Sequence, residues 1–202
     1  MPFQNRVDPY GALHAVPERG AWMGNRGVLI DSERRVVAPW RLRRWITCVL
    51  RFRGRHREVF TPGRYTELFF LDEATSLAAG HRPCAECRRP RYDEFRRAWA
   101  RRGEPLPSAG EIDDTLHAER LRPNGEKRIW TGRLGSLPDG VLVEHAGRPH
   151  LVWRRALRPW TFGGYGSPAR ASREARVAVL TPRSIVRVVR AGFAPQVHES
   201  AG

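Results

Sequence analysis

The chain is nearly devoid of lysine: of its 36 basic residues only Lys127 is one, and all the others are arginine. Acids are scarce as well, at 21, which leaves a formal charge of +15 over 202 residues. A genome rich in G and C explains the choice of arginine over lysine, but not the missing acids. Such an excess attracts polyanions, chiefly DNA or RNA, and the attraction weakens steeply with salt. Acidic proteins and anionic membrane surfaces are the other candidates. No apolar run approaches the roughly 18 residues of a membrane-spanning helix, and residues 1–6 lack the apolar core of a signal peptide. Three cysteines, two of them in a Cys-x-x-Cys spacing, do not make a secreted disulfide scaffold. A cytoplasmic protein with no membrane partner is therefore expected. Gly-x-Ser-x-Gly, His-Glu-x-x-His, Walker and dinucleotide fingerprints are missing too.

What is present argues for a folded chain. Apolar residues make up 41% and there are seven tryptophans, enough to bury a real core in one domain or two small ones. Residues 11–30 read as short extended pieces with turns. Residues 45–52 have strand composition, and Gly54-Arg55 offers a turn into a hairpin partner at 57–60. Another strand is expected at 65–71. Asp72 then serves as N-cap, residues 73–79 as a helix of about two turns, and Gly80 as its stop. Pro90 suits the first turn of a helix reaching residue 102. Its Tyr92, Phe95 and Trp99 share one face, which is the ordinary signature of a core-facing helix before it is one of base stacking. Residues 103–110 look like a linker, and 111–121 like a helix. A hairpin is expected at 141–153, turning at Ala146-Gly147. Residues 163–173 read as a loop and 177–180 as a strand. Thr181 and Pro182 should start a helix that buries Ile185, Val188 and Val189 and stops at Gly192. The sum is an α+β fold of short antiparallel strands with three or four helices. It divides into a lobe at 1–103, a linker and helix at 104–122, and a basic hairpin-plus-helix lobe at 123–202.

The densest chemistry lies in Cys84-Ala85-Glu86-Cys87. Two thiolates at this spacing can grip one tetrahedral zinc ion, and Arg82, Arg88 and Arg89 around them favour the deprotonated form. A redox pair, or two merely structural cysteines, are the other uses of such a motif. Cys48 and His81 are candidates to complete a metal site, as are His56 and, from the downstream helix, His117; Cys48 alone, in a strand, also fits a buried inert thiol.

Residues 68–88, with an apolar strand, a helix ending Ala78-Ala79-Gly80 and then His81-Arg82-Pro83-Cys84-Ala85-Glu86-Cys87-Arg88, resemble the zinc-binding domain of the Ada DNA-repair proteins. The resemblance implies a zinc ligand pair at Cys84 and Cys87, a basic run that approaches a DNA backbone, and DNA slightly ahead of RNA as partner. It departs from the family upstream, where a close cysteine pair should stand and only Cys48 is found, so methyl-acceptor chemistry is not implied. The expectation is a zinc-stabilised nucleic-acid-binding protein, with Arg82, Arg88, Arg89, Arg96 and Arg97 on phosphates. The alternative is a hydrolytic or nucleic-acid-modifying enzyme drawing acid–base groups from Tyr65, Glu67, His81, His117 and Glu119. His117 and Glu119, two apart on a helix, would not share a face. A protein-interaction module whose charge merely reflects its genome is the third possibility.

Overall fold

The computed structural model describes residues 1–54 and 58–202. Along the chain come β1 (Arg6–Val7), β2 (Leu13–His14), β3 (Trp22–Asn25), β4 (Ile46–Cys48), β5 (Leu68–Phe70), α1 (Glu73–Ala78), β6 (Arg82–Pro83), α2 (Arg89–Trp99) and α3 (Ala109–Arg120). The second half carries β7 (Trp130–Arg133), β8 (Leu142–His145), β9 (Arg148–Trp153), β10 (Ala156–Thr161), β11 (Gly164–Tyr165), β12 (Arg176–Val179) and α4 (Arg183–Arg190). The fold is α+β. The first sheet has the order β2-β1-β5-β3-β4-β6, and the second β11-β10-β9-β8-β12-β7. The second is antiparallel throughout, whereas β1 with β5 and β4 with β6 pair in parallel. Among the described residues no helix is long and apolar enough to cross a membrane.

Helix α1 is the hub. Asp72 caps it by accepting from the Thr75 amide at 2.8 Å and the Thr75 hydroxyl at 2.7 Å. Small residues let it pack on three sides. Leu77 joins the helical core of Tyr92, Phe95 and Trp99 from α2, Ile112 and Leu116 from α3, and Ile185 and Val188 from α4. Ala74 and Ala78 lie against Leu142, Leu151 and Trp160 of the second sheet. Ala79 closes on Leu68 and Phe70 of the first. These clusters run across the expected lobe boundaries, so the two sheets share one helical layer. Gly80 leaves α1 at φ +90°, and a Cβ there would lie 2.6 Å from the Arg120 side chain, so both conformation and space require glycine.

Several expectations are corrected by tertiary contacts. Arg55, His56 and Arg57, which carry the expected hairpin turn and one ligand candidate, lie outside the described residues. Residues 58–60 are not a strand, with 59 and 60 in a turn, and β4 pairs with β3 and β6. Helix α3 starts two residues early because Ser108 and Glu111 form a reciprocal capping box. Thr181 does not cap α4: its hydroxyl accepts from the Leu142 amide. The cap comes from α3, where Glu119 accepts from the Ser184 amide and hydroxyl, each at 2.8 Å.

His81 is fully buried between Trp45 and Phe70, with ring centroids at 5.1 and 4.7 Å. Its Nε2 accepts from Arg26 Nε at 3.2 Å, so the ring is neutral with its proton on Nδ1. Burial, reinforced by Arg26 and Arg120, holds its pKa well below the usual histidine value.

Two outcomes are expected. Glu119→Ala should lower stability by about 1–2 kcal/mol through loss of the α4 cap, read as a denaturant midpoint shift; an unchanged midpoint would refute the capping role. The unfolded chain protonates His81 at about 6.5 while the folded one does not, so stability falls as pH drops from about 6.5 to 5. Lys127, drawn down to about 7 by burial and Arg26, is charged in both states at the lower end of that window and adds to the His81 slope only towards its upper end. His81→Gln should flatten the slope; His117 and His150, lowered too, leave a remainder.

Candidate metal centre

The parallel pairing of β4 with β6 decides the site. Ile46 stands opposite Arg82 and Thr47 opposite Pro83, and the Cys84 amide donates to the Thr47 carbonyl at 2.9 Å. Cys48 therefore arrives beside the turn that carries Cys84 and Cys87. The three sulfurs lie within 4.8 Å of one another, close enough to hold one metal ion. Cys48 and Cys84 are buried and Cys87 is half-buried, and all three are free of disulfides.

The cluster is electrostatically set for a cation. Hydrogen bonds from the thiols of Cys48 and Cys87 hold Cys84 far below the ordinary cysteine value; burial opposes this, and the amides of Cys87 and Glu86 add to it. Cys48, the donor to both neighbours, is pushed up by those bonds and by burial. Cys87 accepts from the Cys48 thiol and the Val49 amide, which lower it, but the adjacent Cys84 sulfur and burial leave it raised. The three sulfurs thus share protons through mutual hydrogen bonds, and a bound cation would displace them.

The three cysteines line a cleft of about 1090 Å³ on one face of the first sheet. Strand alternation builds its floor. Arg44, Ile46 and Cys48 face the cleft, while Trp45 and Thr47 are buried on the other side. Register extends this into a row: Arg6 stands opposite Phe69, Phe69 opposite Met23, and Met23 opposite Cys48. All four line the cleft, and the Arg6 guanidinium lies 4.9 Å over the Phe69 ring. Arg19, Arg41, Arg44 and Arg51 stand exposed around it. Among the described residues none of these four forms an ion pair, whereas neighbouring Arg43 pairs with Asp114 at 3.2 Å.

The other candidates are scattered. Arg82 is turned inward, bidentate to Asp113 at 2.8 and 2.7 Å, and is not a surface phosphate contact. Arg88 is likewise buried, paired with Glu73 at 2.7 Å and stacked 3.8 Å over Trp22. Both were expected to be free because the motif shows arginines but not the acids that fold back on them. Arg89 and Arg97 are exposed, and Arg96 is half-buried with Nε on the Pro107 carbonyl at 2.8 Å. His81 belongs to the core and not to the sulfur cluster. Tyr65 and Glu67 line the cleft, where Glu67 is buried and accepts from the Phe60 amide at 2.9 Å. His117 packs edge-on to Trp40 at 4.6 Å, and Glu119 caps α4, so the acid–base set is not assembled in the cleft. Sequence reasoning missed the cleft's Arg6, Arg19, Arg41, Arg44 and Arg51, and Phe69 as its floor. The alternation Arg44-x-Ile46-x-Cys48 was the available signal.

Comparison with protein-family models, with curated proteins and with solved structures finds no match for this chain.

If the three sulfurs form one site, Cys48→Ser should weaken metal binding at least about 100-fold, as severely as Cys84→Ser. Cobalt(II) titration followed by thiolate absorption measures this. Unchanged affinity in the Cys48 variant would reduce the site to a two-thiol motif.

Proposed function

We propose that this chain is a zinc-stabilised nucleic-acid-binding protein, DNA-associated and without methyl-acceptor activity, which lays a single strand across the open face of its first sheet. The observation that carries this reading is the in-register row Arg6, Phe69, Met23 and Cys48, flanked by Arg19, Arg41, Arg44 and Arg51, which form no ion pair among the described residues. Strand binding without sequence preference needs a cationic groove for the backbone and aromatic rings for the bases. Phe69, Phe3 and Phe52 give the cleft its rings, and Arg19, Arg41, Arg44 and Arg51 give it charge. A net charge of +15 adds long-range attraction.

Zinc suits the donor set, because soft thiolates favour it and it needs no redox partner. Its role here is to tie the end of β4 to the turn after β6, fixing the cleft's end wall. Cytoplasmic placement is part of the same proposal, since three reduced cysteines persist in a reducing compartment.

The test is binding of an oligothymidylate strand at several salt concentrations. Affinity should fall with salt, and each of Arg44→Ala and Arg51→Ala should reduce the log–log slope by about 0.7. Phe69→Ala should cost about 1–3 kcal/mol of affinity at every salt concentration. A strand that binds with no salt dependence, or equally well to all three variants, refutes the proposal.

A further inference from the structure

The cysteine cluster offers a metal three donors. Among the described residues no histidine, carboxylate or further cysteine joins Cys48, Cys84 and Cys87 within 4.8 Å. Structural zinc sites close their tetrahedron with four protein ligands, whereas sites with three keep a position for water or a bound molecule. Here all three cysteines belong to the cleft wall, so the space in front of the sulfurs is the space in which a ligand would lie.

Charge decides what kind of ligand that is. Three thiolates leave a divalent ion with a net negative charge, so another anion approaches only where cations compensate. Arg44 stands two residues before β4 and Arg51 three residues after Cys48; both line the cleft with the cysteines, and neither forms an ion pair among the described residues. Guanidinium groups do not ligate metals, but they grip phosphate oxygens in a fixed fork.

We propose that the metal held by Cys48, Cys84 and Cys87 keeps one position open to the cleft, and that a phosphate oxygen guided by Arg44 and Arg51 takes it in place of water. One metal–water bond breaks and one metal–oxygen bond forms, with no change of oxidation state. This rests on the metal and ligand class proposed above. It goes further in making the metal part of the binding surface and not only a brace.

The experiment uses the full chain loaded with cobalt(II), whose visible absorption reports its ligands. Inorganic phosphate, an oligothymidylate with a 5′-phosphate and one without are titrated in turn. A spectral change is expected with phosphate or the phosphorylated strand, and a weaker one with the unphosphorylated strand, whose phosphodiester oxygens carry less charge. The more effective of the first two tells whether free phosphate or a strand end is the natural source. Arg44→Ala should raise the half-saturating phosphate concentration about tenfold. X-ray absorption of the zinc form should show three sulfurs and one oxygen. A fourth sulfur, an imidazole signature, or a cobalt spectrum unmoved by every phosphate probe overturns the open position while leaving metal-braced strand binding intact. Failure to take up cobalt overturns both.

Discussion

Two residue pairs, Ile46 with Arg82 and Thr47 with Pro83, carry the whole site, because they bring a strand from one part of the chain against a turn from another. So short a parallel pairing cannot hold itself. It is held from behind by buried cations. The guanidinium groups of Arg26 and Arg120 lie 3.9 and 4.0 Å over the Trp45 ring, in the residue just before β4. Arg120 also donates to the Gly80 carbonyl at 2.9 Å, and Arg26 to the Gly11 carbonyl at 2.7 Å and to His81. Burial draws both arginines down to about 9, a measure of how far from water they are kept. Stacking on an indole and binding carbonyls replaces part of the lost hydration.

That arrangement divides the first sheet by function. The face carrying Trp45, Leu68 and Phe70 packs inward onto α1 and the arginine cluster, and the face carrying Arg44, Cys48 and Phe69 stays open. A β-strand presents alternate residues to opposite sides, so one three-residue strand serves both the core and the cleft. The sulfur cluster and the cleft are therefore one structural element, and a disturbance of Trp45 packing would reach the sulfurs through the backbone of Ile46 and Thr47.

Legibility followed the range of the forces involved. Asp72, Gly80 and the Tyr92, Phe95 and Trp99 face act within a turn or two of helix, and each stands where local chemistry put it. The hairpin joining β8 and β9 was readable for the same reason, with Ala146 and Gly147 both at positive φ. Arg82 and Arg88 were misread because their partners, Asp113 and Glu73, lie 31 and 15 residues away. Glu119 escaped notice as the cap of α4 because it acts across 65 residues.

By itself the sequence determined an α+β chain, strongly cationic, with a Cys-x-x-Cys turn leaving a capped helix, since composition and short-range periodicity encode those directly. Only the tertiary structure decided that Cys48 belongs with Cys84 and Cys87, which arginines face inward, and that Arg6, Arg19, Arg41, Arg44 and Arg51 line a cleft with an aromatic floor. The physical reason is that a thiol's partners, and whether a guanidinium meets a carboxylate or water, depend on strand register and helix packing between distant segments.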